Sequence, residues 1–438
     1  MPHELNQILL CSSQDGFEKK IGKFRSKMAL AARFADYGSE ENQQVVEILR
    51  NVAERGDEAI AEYTQKFDGI RLNPQEFRVS KDELDKARRE IDQDVLASVR
   101  QAIDNVRAYQ KEILLDRDNA PRGIRYTAIR RVGICVPGAS APLPSTVLMT
   151  AVPAQVAGVK EIAVVSPPRH QGSIHPVILA VCRELEIDEV YRIGGAQAVA
   201  ALAAGTETIA RVDKIVGPGN KWVQAAKKNV AGDYVGIDSI AGPSEVLILA
   251  NEQANPAWIA ADMLSQAEHA ADSSAVVVTD SQFLAEETLK ELKKQLTELP
   301  RAKEAKESLK KFSAIVVVED MNRAIEMAND FAPEHLEVQC GNQSREIAGK
   351  ISNAGAIFIG SYTPVAVGDY WAGPSHTLPT GMRAKFASAL TSNDFLKSIS
   401  IVEYDQDMLA ASADDIARLA EVEGLHAHAR SVRIRQQD

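Results

Sequence analysis

The stretch VGICVPGASAPLPSTVLMTAVPAQVAGVKEIAVV, residues 132–165, decides the fold. It opens on a short apolar run, Val132–Val136, and breaks at Pro137-Gly138. A helical run follows from Thr146 to Ala157, and a second apolar run closes the stretch at Ile162–Val165. Apolar runs of this length bounded by glycine and proline read as buried strands, and two strands joined through a helix belong to a parallel sheet. The pattern repeats outward. Strand candidates follow at Glu189–Ile193 and Lys214–Val216, with helix candidates at Ile174–Leu185, Ala196–Ala204 and Lys221–Val230. A second set of strands stands at Val246–Leu249, Ala275–Thr279, Ala314–Val318 and Ala356–Ile359, again with helices between. The sequence therefore predicts an α/β fold with two parallel-sheet domains of similar form.

On either side the pattern becomes helical. Residues 1 to about 115 place Val45, Val46, Ile48, Leu49, Val52, Ile60 and Tyr63 at helical spacings, with Ser39 as a cap and Arg55-Gly56-Asp57 as a break between two helices. After SNDFLKSISIVEY the chain ends on MLAASADDIARLAEVEGLHAHARSVRIR, an amphipathic tail that buries little by itself. The 438 residues carry 50 basic and 61 acidic side chains, a net charge of −11. That balance argues against general nucleic-acid or anionic-membrane binding. The longest apolar candidate, Thr146–Val159, is broken by Pro153 and Gln155, so no membrane span is expected. The N-terminus lacks a basic segment before an apolar one, so no signal peptide is expected. Four well-separated cysteines (Cys11, Cys135, Cys182, Cys340) fit reduced thiols in a cytoplasmic protein.

Four Gly/Pro loops follow strand candidates: VPGASAP at 136–142, Gly194–Gln197, Gly217–Asn220 and Ala241–Ser244. Loops of this kind, at the carboxyl ends of strands, let a ligand approach backbone N–H groups. No GxGxxG with a downstream acidic residue is present, nor HExxH, nor GxSxG. The polar candidates lie further on. Gln266 and His269 sit at i, i+3 in a helical stretch, facing one way. Glu334-His335 falls on a loop leading into strand Leu336–Val338, and a carboxylate beside an imidazole suits proton transfer. Asp369 and His376 share GDYWAGPSHTLPTG, too rich in glycine and proline to be regular structure. Glu423, His426 and His428 crowd near the terminus. Together, Gln266, His269, Asp369 and one terminal histidine would make a mixed N/O site for a borderline divalent metal such as Zn²⁺.

GGAQAVAALAAGTE, VDKIVGPGN, AGPSEVLILA, SQAEHAADS, APEHLEV and AGPSHTLPTG, in this order and over nearly the whole chain, resemble the histidinol dehydrogenase family. The resemblance implies a zinc- and NAD-dependent homodimer with two Rossmann-like domains and helical N- and C-terminal extensions. Such an enzyme oxidises L-histidinol through L-histidinaldehyde to L-histidine, the last step of histidine biosynthesis, with two NAD⁺. It implies one zinc per subunit held by Gln266, His269, Asp369 and His428, the last from the other subunit. Glu334 and His335 would transfer protons. Ser244, Gln266, His269, His335, Asp369, His376, Glu423 and His428 would contact substrate. Gln197, Asn220 and the position of Cys135 would contact NAD. The division expected with it is 1–26 as an N-terminal helical extension, 27–134 plus 244–390 as the domain with metal and acid/base residues, 135–243 as the NAD domain, and 391–438 as a helical dimerisation tail.

One motif departs from the family pattern. VGICVPGAS carries Cys135 where a tyrosine is usual, and Ala139-Ser140 where glycine is common. The alternatives are therefore a related zinc/NAD dehydrogenase of another small amino or sulfonated alcohol, and a non-catalytic dimeric zinc protein that keeps the fold.

Overall fold

The computed structural model describes residues 2–31, 39–117, 123–138 and 142–436, so Ala139-Ser140 and the middle of the VPGASAP loop lie outside the described residues. In chain order the strands are β1 (Leu9–Cys11), β2 (Ile124–Ala128), β3 (Arg131–Cys135), β4 (Glu161–Val165), β5 (Glu189–Tyr191), β6 (Lys214–Val216), β7 (Gly236–Ile237), β8 (Glu245–Ala250), β9 (Ser274–Thr279), β10 (Ala314–Val317), β11 (His335–Gln339), β12 (Ala356–Ile359) and β13 (Leu396–Ser400). Two compact units divide the chain: Met1–Leu114 with Ala128–Phe395, and Leu115–Thr127 with Leu396–Asp438.

The first unit contains two sheets, ordered β5-β4-β3-β6-β7 and β1-β10-β9-β8-β11-β12. Both are parallel throughout, as the βαβ pattern predicts. Every residue of β3, β8 and β9 is buried, as expected of strands covered on both faces. In the six-stranded sheet the two faces separate by alternate residues. Val246 and Ile248 pack with Ile259 and Met263 on one side, while Leu247 and Leu249 pack with Ala324 and Ala328 on the other. Helix Pro144–Ala157 is buried nearly all round, which its uniformly apolar sequence demands.

Three expectations need correction. Helices Glu40–Arg55 and Asp57–Asp68 were expected with the domain formed by 27–134 and 244–390. Instead Val45, Ile48, Val52 and Ile60 share a core with Val165 and Ile215 of the five-stranded sheet, whose central strand is β3 itself, and with Val199 of the helix Gly195–Ala204. Their apolar face finds its complement there. The segment 1–26 is not only helical, because β1 pairs in parallel with the edge of the six-stranded sheet while Leu5 and Ile8 enter its core. The segment 391–438 likewise contains a strand: in the second unit β13 pairs with β2, and helices Gln406–Val422 and His426–Arg433 follow. Among the described residues no helix is long and apolar enough to cross a membrane.

Candidate active site

Strand order reverses between β3 and β6, so the loops after them diverge and leave a crevice. Gly217 makes this possible. Its φ is +102°, and a Cβ there would stand 2.4 Å from the Cys135 carbonyl oxygen. Both polar backbone atoms of Gly217 are held: its N–H donates to Asp238 Oδ2 at 2.7 Å, and its carbonyl accepts from Lys227 Nζ at 3.0 Å. Lys227 and Asp238 are themselves ion-paired and buried. A cavity of about 580 Å³ lies against these loops, lined by Cys135, Gln197 and Asn220 among others. Gln197 is 1% exposed and neither its amide oxygen nor its amide nitrogen has a partner. Asn220 caps helix Lys221–Val230, its Oδ1 accepting from Trp222 and Val223 N–H groups. Cys135 is buried and its thiol is pushed up to about 12 by desolvation, so it stays a neutral wall group.

A second cavity, about 690 Å³, is lined by Ser244, Gln266, His269, Glu334, His335, Asp369 and His376. Pro137, Pro218, Gly219, Asn220 and Trp222 line both cavities, which therefore share a wall. The catalytic candidates do not follow the carboxyl-end rule. His335 opens β11 opposite Val246 of β8, at the amino ends of the central strands of the six-stranded sheet. His335 is thus a strand residue, one position earlier than the sequence predicts. Asp369 also differs: it stands in the short helix Val365–Tyr370 rather than in irregular loop. Gln266 is in helix Pro256–Ala267, and His269 lies just past its end, its N–H bonded to the Gln266 carbonyl at 3.3 Å.

Glu245 organises the acid–base pair through its backbone. Its N–H donates to Glu334 Oε2 at 2.9 Å, and its carbonyl lies 2.9 Å from His335 Nδ1. A carbonyl can only accept, so Nδ1 carries the proton and Nε2 holds a lone pair. Nε2 is buried without a hydrogen-bond partner, 3.9 Å from Asp369 Oδ1. Burial lowers His335 to about 4, so its ring is neutral at pH 7. Desolvation, reinforced by Glu245 and Asp369, holds the Glu334 carboxyl well above the ordinary range. Burial raises Asp369 to about 6 and lowers His376 to about 4. The Glu245 side chain, itself raised to about 7 by burial, accepts the Gly381 N–H at 3.0 Å and so ties the loop after His376 to β8. Sequence reasoning missed Glu245; its signal was an acidic residue at the head of the apolar run VLILA.

The remaining candidates, Glu423 and His428, belong to the second unit and are exposed there. Among the described residues no group of three or more His, Cys, Asp or Glu side chains is gathered as a metal cluster. The first unit offers two such ligands, His269 and Asp369, together with Gln266. Gln266 is 2% exposed with its Nε2 unpartnered, a donor left for a ligand's acceptor, while its amide oxygen is the atom a cation would take. That donor set fits a divalent metal completed from elsewhere.

Two parallel-sheet α/β layers carry a cleft in which buried carboxyls meet a neutral imidazole, an arrangement suited to acid–base chemistry, beside a second cavity of about 580 Å³. The family model for histidinol dehydrogenase matches residues 32–436. A histidinol dehydrogenase of Heliobacterium mobile is 47% identical over 398 residues, covering 90% of this chain and 93% of that protein. One from Bacillus subtilis (strain 168) is 47% identical over 412 residues, covering 92% and 95%. The crystal structure of histidinol dehydrogenase from Elizabethkingia anophelis superposes with a TM-score of 0.86 at 35% identity, covering 94% of this chain and 96% of that one. The chain belongs to the histidinol dehydrogenase family, oxidoreductases acting on a CH–OH group.

Proposed function

We propose that the chain oxidises L-histidinol through L-histidinaldehyde to L-histidine in the cytoplasm, using two NAD⁺ and one zinc per subunit. It does so as a homodimer in which Glu423 and His428 of one tail complete the other subunit's site. The observation that carries this reading is the His335 ring: Nδ1–H fixed on a backbone carbonyl, Nε2 bare in a cavity shared with Asp369, Gln266 and His269.

Gln266, His269, Asp369 and His428 of the partner subunit would hold zinc, which when bound supplies a fixed positive charge for nitrogen donors of the substrate. Gln197, with an amide donor and acceptor free, and Asn220, on the shared wall, would hold NAD⁺, which when bound would supply the hydride acceptor. His335 Nε2 takes the substrate hydroxyl proton as hydride leaves the carbon. Glu334 then takes a proton from water as that water adds to the aldehyde carbon, and the carbonyl oxygen takes back the proton held by His335. The diol gives up the second hydride as His335 Nε2 accepts a hydroxyl proton again. Burial raises the Glu334 carboxyl from the ordinary carboxylate range, toward the working pH at which a general base is most effective. Retention of the aldehyde in a closed site prevents its loss to solution. Ser244, His376 and Glu423 would orient the substrate.

The direct test is NADH formation with L-histidinol against a panel of amino and sulfonated alcohols. Two NADH per histidinol are expected, and no turnover of histidinol would overturn the reading. Removing metal with a strong chelator should abolish NADH formation, and added Zn²⁺ should restore it. Full activity in a chain shown to be metal-free would sink the zinc assignment.

A further inference from the structure

Helix Pro256–Ala267, β11 and helix Val365–Tyr370 deliver Gln266, His335 and Asp369 to one cavity. Behind that cavity the same three elements meet again through polar side chains. Glu337 and Gln339 follow His335 at two and four residues on β11, so all three project from one face of the sheet. The rest of that face is apolar, formed by Ile248, Met263 and Val365 among others. Glu337 is 1% exposed and Gln339 2%. Glu337 Oε1 accepts the N–H of Val365, the first residue of the helix carrying Asp369, at 3.0 Å. Gln339 Nε2 donates to Glu337 Oε2 and to Asp262 Oδ2, both at 2.8 Å. Asp262 stands one turn before Gln266 on the same helix, and Gln339 Nε2 bridges its carboxyl to that of Glu337. Burial raises both carboxyls above the ordinary carboxylate range.

An apolar side chain at 337 would avoid the desolvation this stripe costs. What it would not do is register two helices against the strand of the catalytic base. We propose that Glu337 is a positioning residue, which locks the Asp369 helix and the Gln266 helix to β11 so that the metal-binding groups are spaced before metal arrives. This rests on the reading that Gln266 and Asp369 hold zinc. It is a role exerted through the ligands' elements, with no contact to substrate or cofactor.

The test measures zinc affinity of the full-length chain by chelator competition, alongside the melting temperature of the metal-free protein. For Glu337→Met the affinity should fall about 10- to 100-fold, the range for residues that orient metal ligands. The metal-free melting temperature should fall, because Met leaves the Val365 N–H without its acceptor, so affinities are compared at a temperature where each metal-free chain is fully folded. Glu337→Gln, which keeps an oxygen for the Val365 N–H, should recover most of the affinity. Should Glu337→Met fail to fold, Val365→Pro removes the same hydrogen bond from the other side. Position 365 begins the helix and Pro364 before it is extended (φ −66°, ψ 159°), a setting that accepts proline. A weakened Val365→Pro site supports the proposal. A parent chain that binds zinc while the folded variant binds it equally well overturns the role of Glu337. A parent chain that takes up no zinc overturns the metal reading beneath it.

Discussion

Glu334→Gln should leave the first hydride transfer nearly intact and slow the second by roughly a hundred- to ten-thousand-fold, the usual worth of a general base. The asymmetry follows from the geometry. Glutamine keeps an oxygen for the Glu245 N–H that now bonds Glu334 Oε2 at 2.9 Å, so the strand entry is undisturbed. His335 keeps its Nδ1 contact with the Glu245 carbonyl and its bare Nε2, so the alcohol proton still has an acceptor. What disappears is the only change made: a carboxylate able to take a proton from water. A rapid-mixing experiment should then show one NADH per site in a burst, followed by slow release of the second, where the parent chain forms both. With L-histidinaldehyde as substrate the variant should be slow from the start. Equal slowing of both steps, or of neither, would remove the division of labour between Glu334 and His335. For His335→Ala, by contrast, the burst itself should vanish.

The sequence carries the two sheets plainly because their strands are buried on both faces, and such strands appear as unbroken apolar runs: EVLILA at β8 and SAVVVT at β9 are legible without partners. β1 is not, since three residues (LLC) at a sheet edge carry no periodicity. The helix Glu40–Arg55 shows its apolar face in the sequence but not what covers that face, which is why its packing against the five-stranded sheet had to be seen. In the site the same divide appears. Gln266, His269, Glu334, His335, Asp369 and His376 are candidates through their side chains and stand out as polar residues in apolar or Gly/Pro surroundings. Glu245, Lys227 and Asp238 act on or through backbone atoms of other residues: the Glu245 N–H and carbonyl hold the catalytic pair, and Lys227 with Asp238 holds both polar atoms of Gly217. No side-chain pattern announces a role played through a carbonyl oxygen. The buried stripe of Glu337, Gln339 and Asp262 escaped for a related reason, because the alternation HLEVQ reads as a half-exposed strand whereas all five residues are buried.

The second large effect is a gain. On the proposed roles, chains bearing His335→Ala and chains bearing His428→Ala should each be nearly inactive alone, the first without the proposed base and the second without a proposed zinc ligand. After dissociation and reassociation of an equal mixture, activity should rise to about a quarter of the parent's, because half of the dimers are mixed and one of their two sites is intact. The arithmetic depends on where the two residues lie. His335 belongs to the unit Met1–Leu114 with Ala128–Phe395, and His428 to the unit Leu115–Thr127 with Leu396–Asp438. If each site joins the first unit of one chain to the second unit of the other, a mixed dimer places both mutations in one site and leaves the other whole. If each chain used its own tail, both sites of a mixed dimer would carry a mutation and no activity would return. Exposure of Leu419, Val422 and Leu425 beside His428 leaves an apolar face that a second chain would cover. Subunit exchange verified by mass-tagged chains, with no recovery of NADH formation, would therefore exclude the shared site while leaving the assignment of His335 untouched.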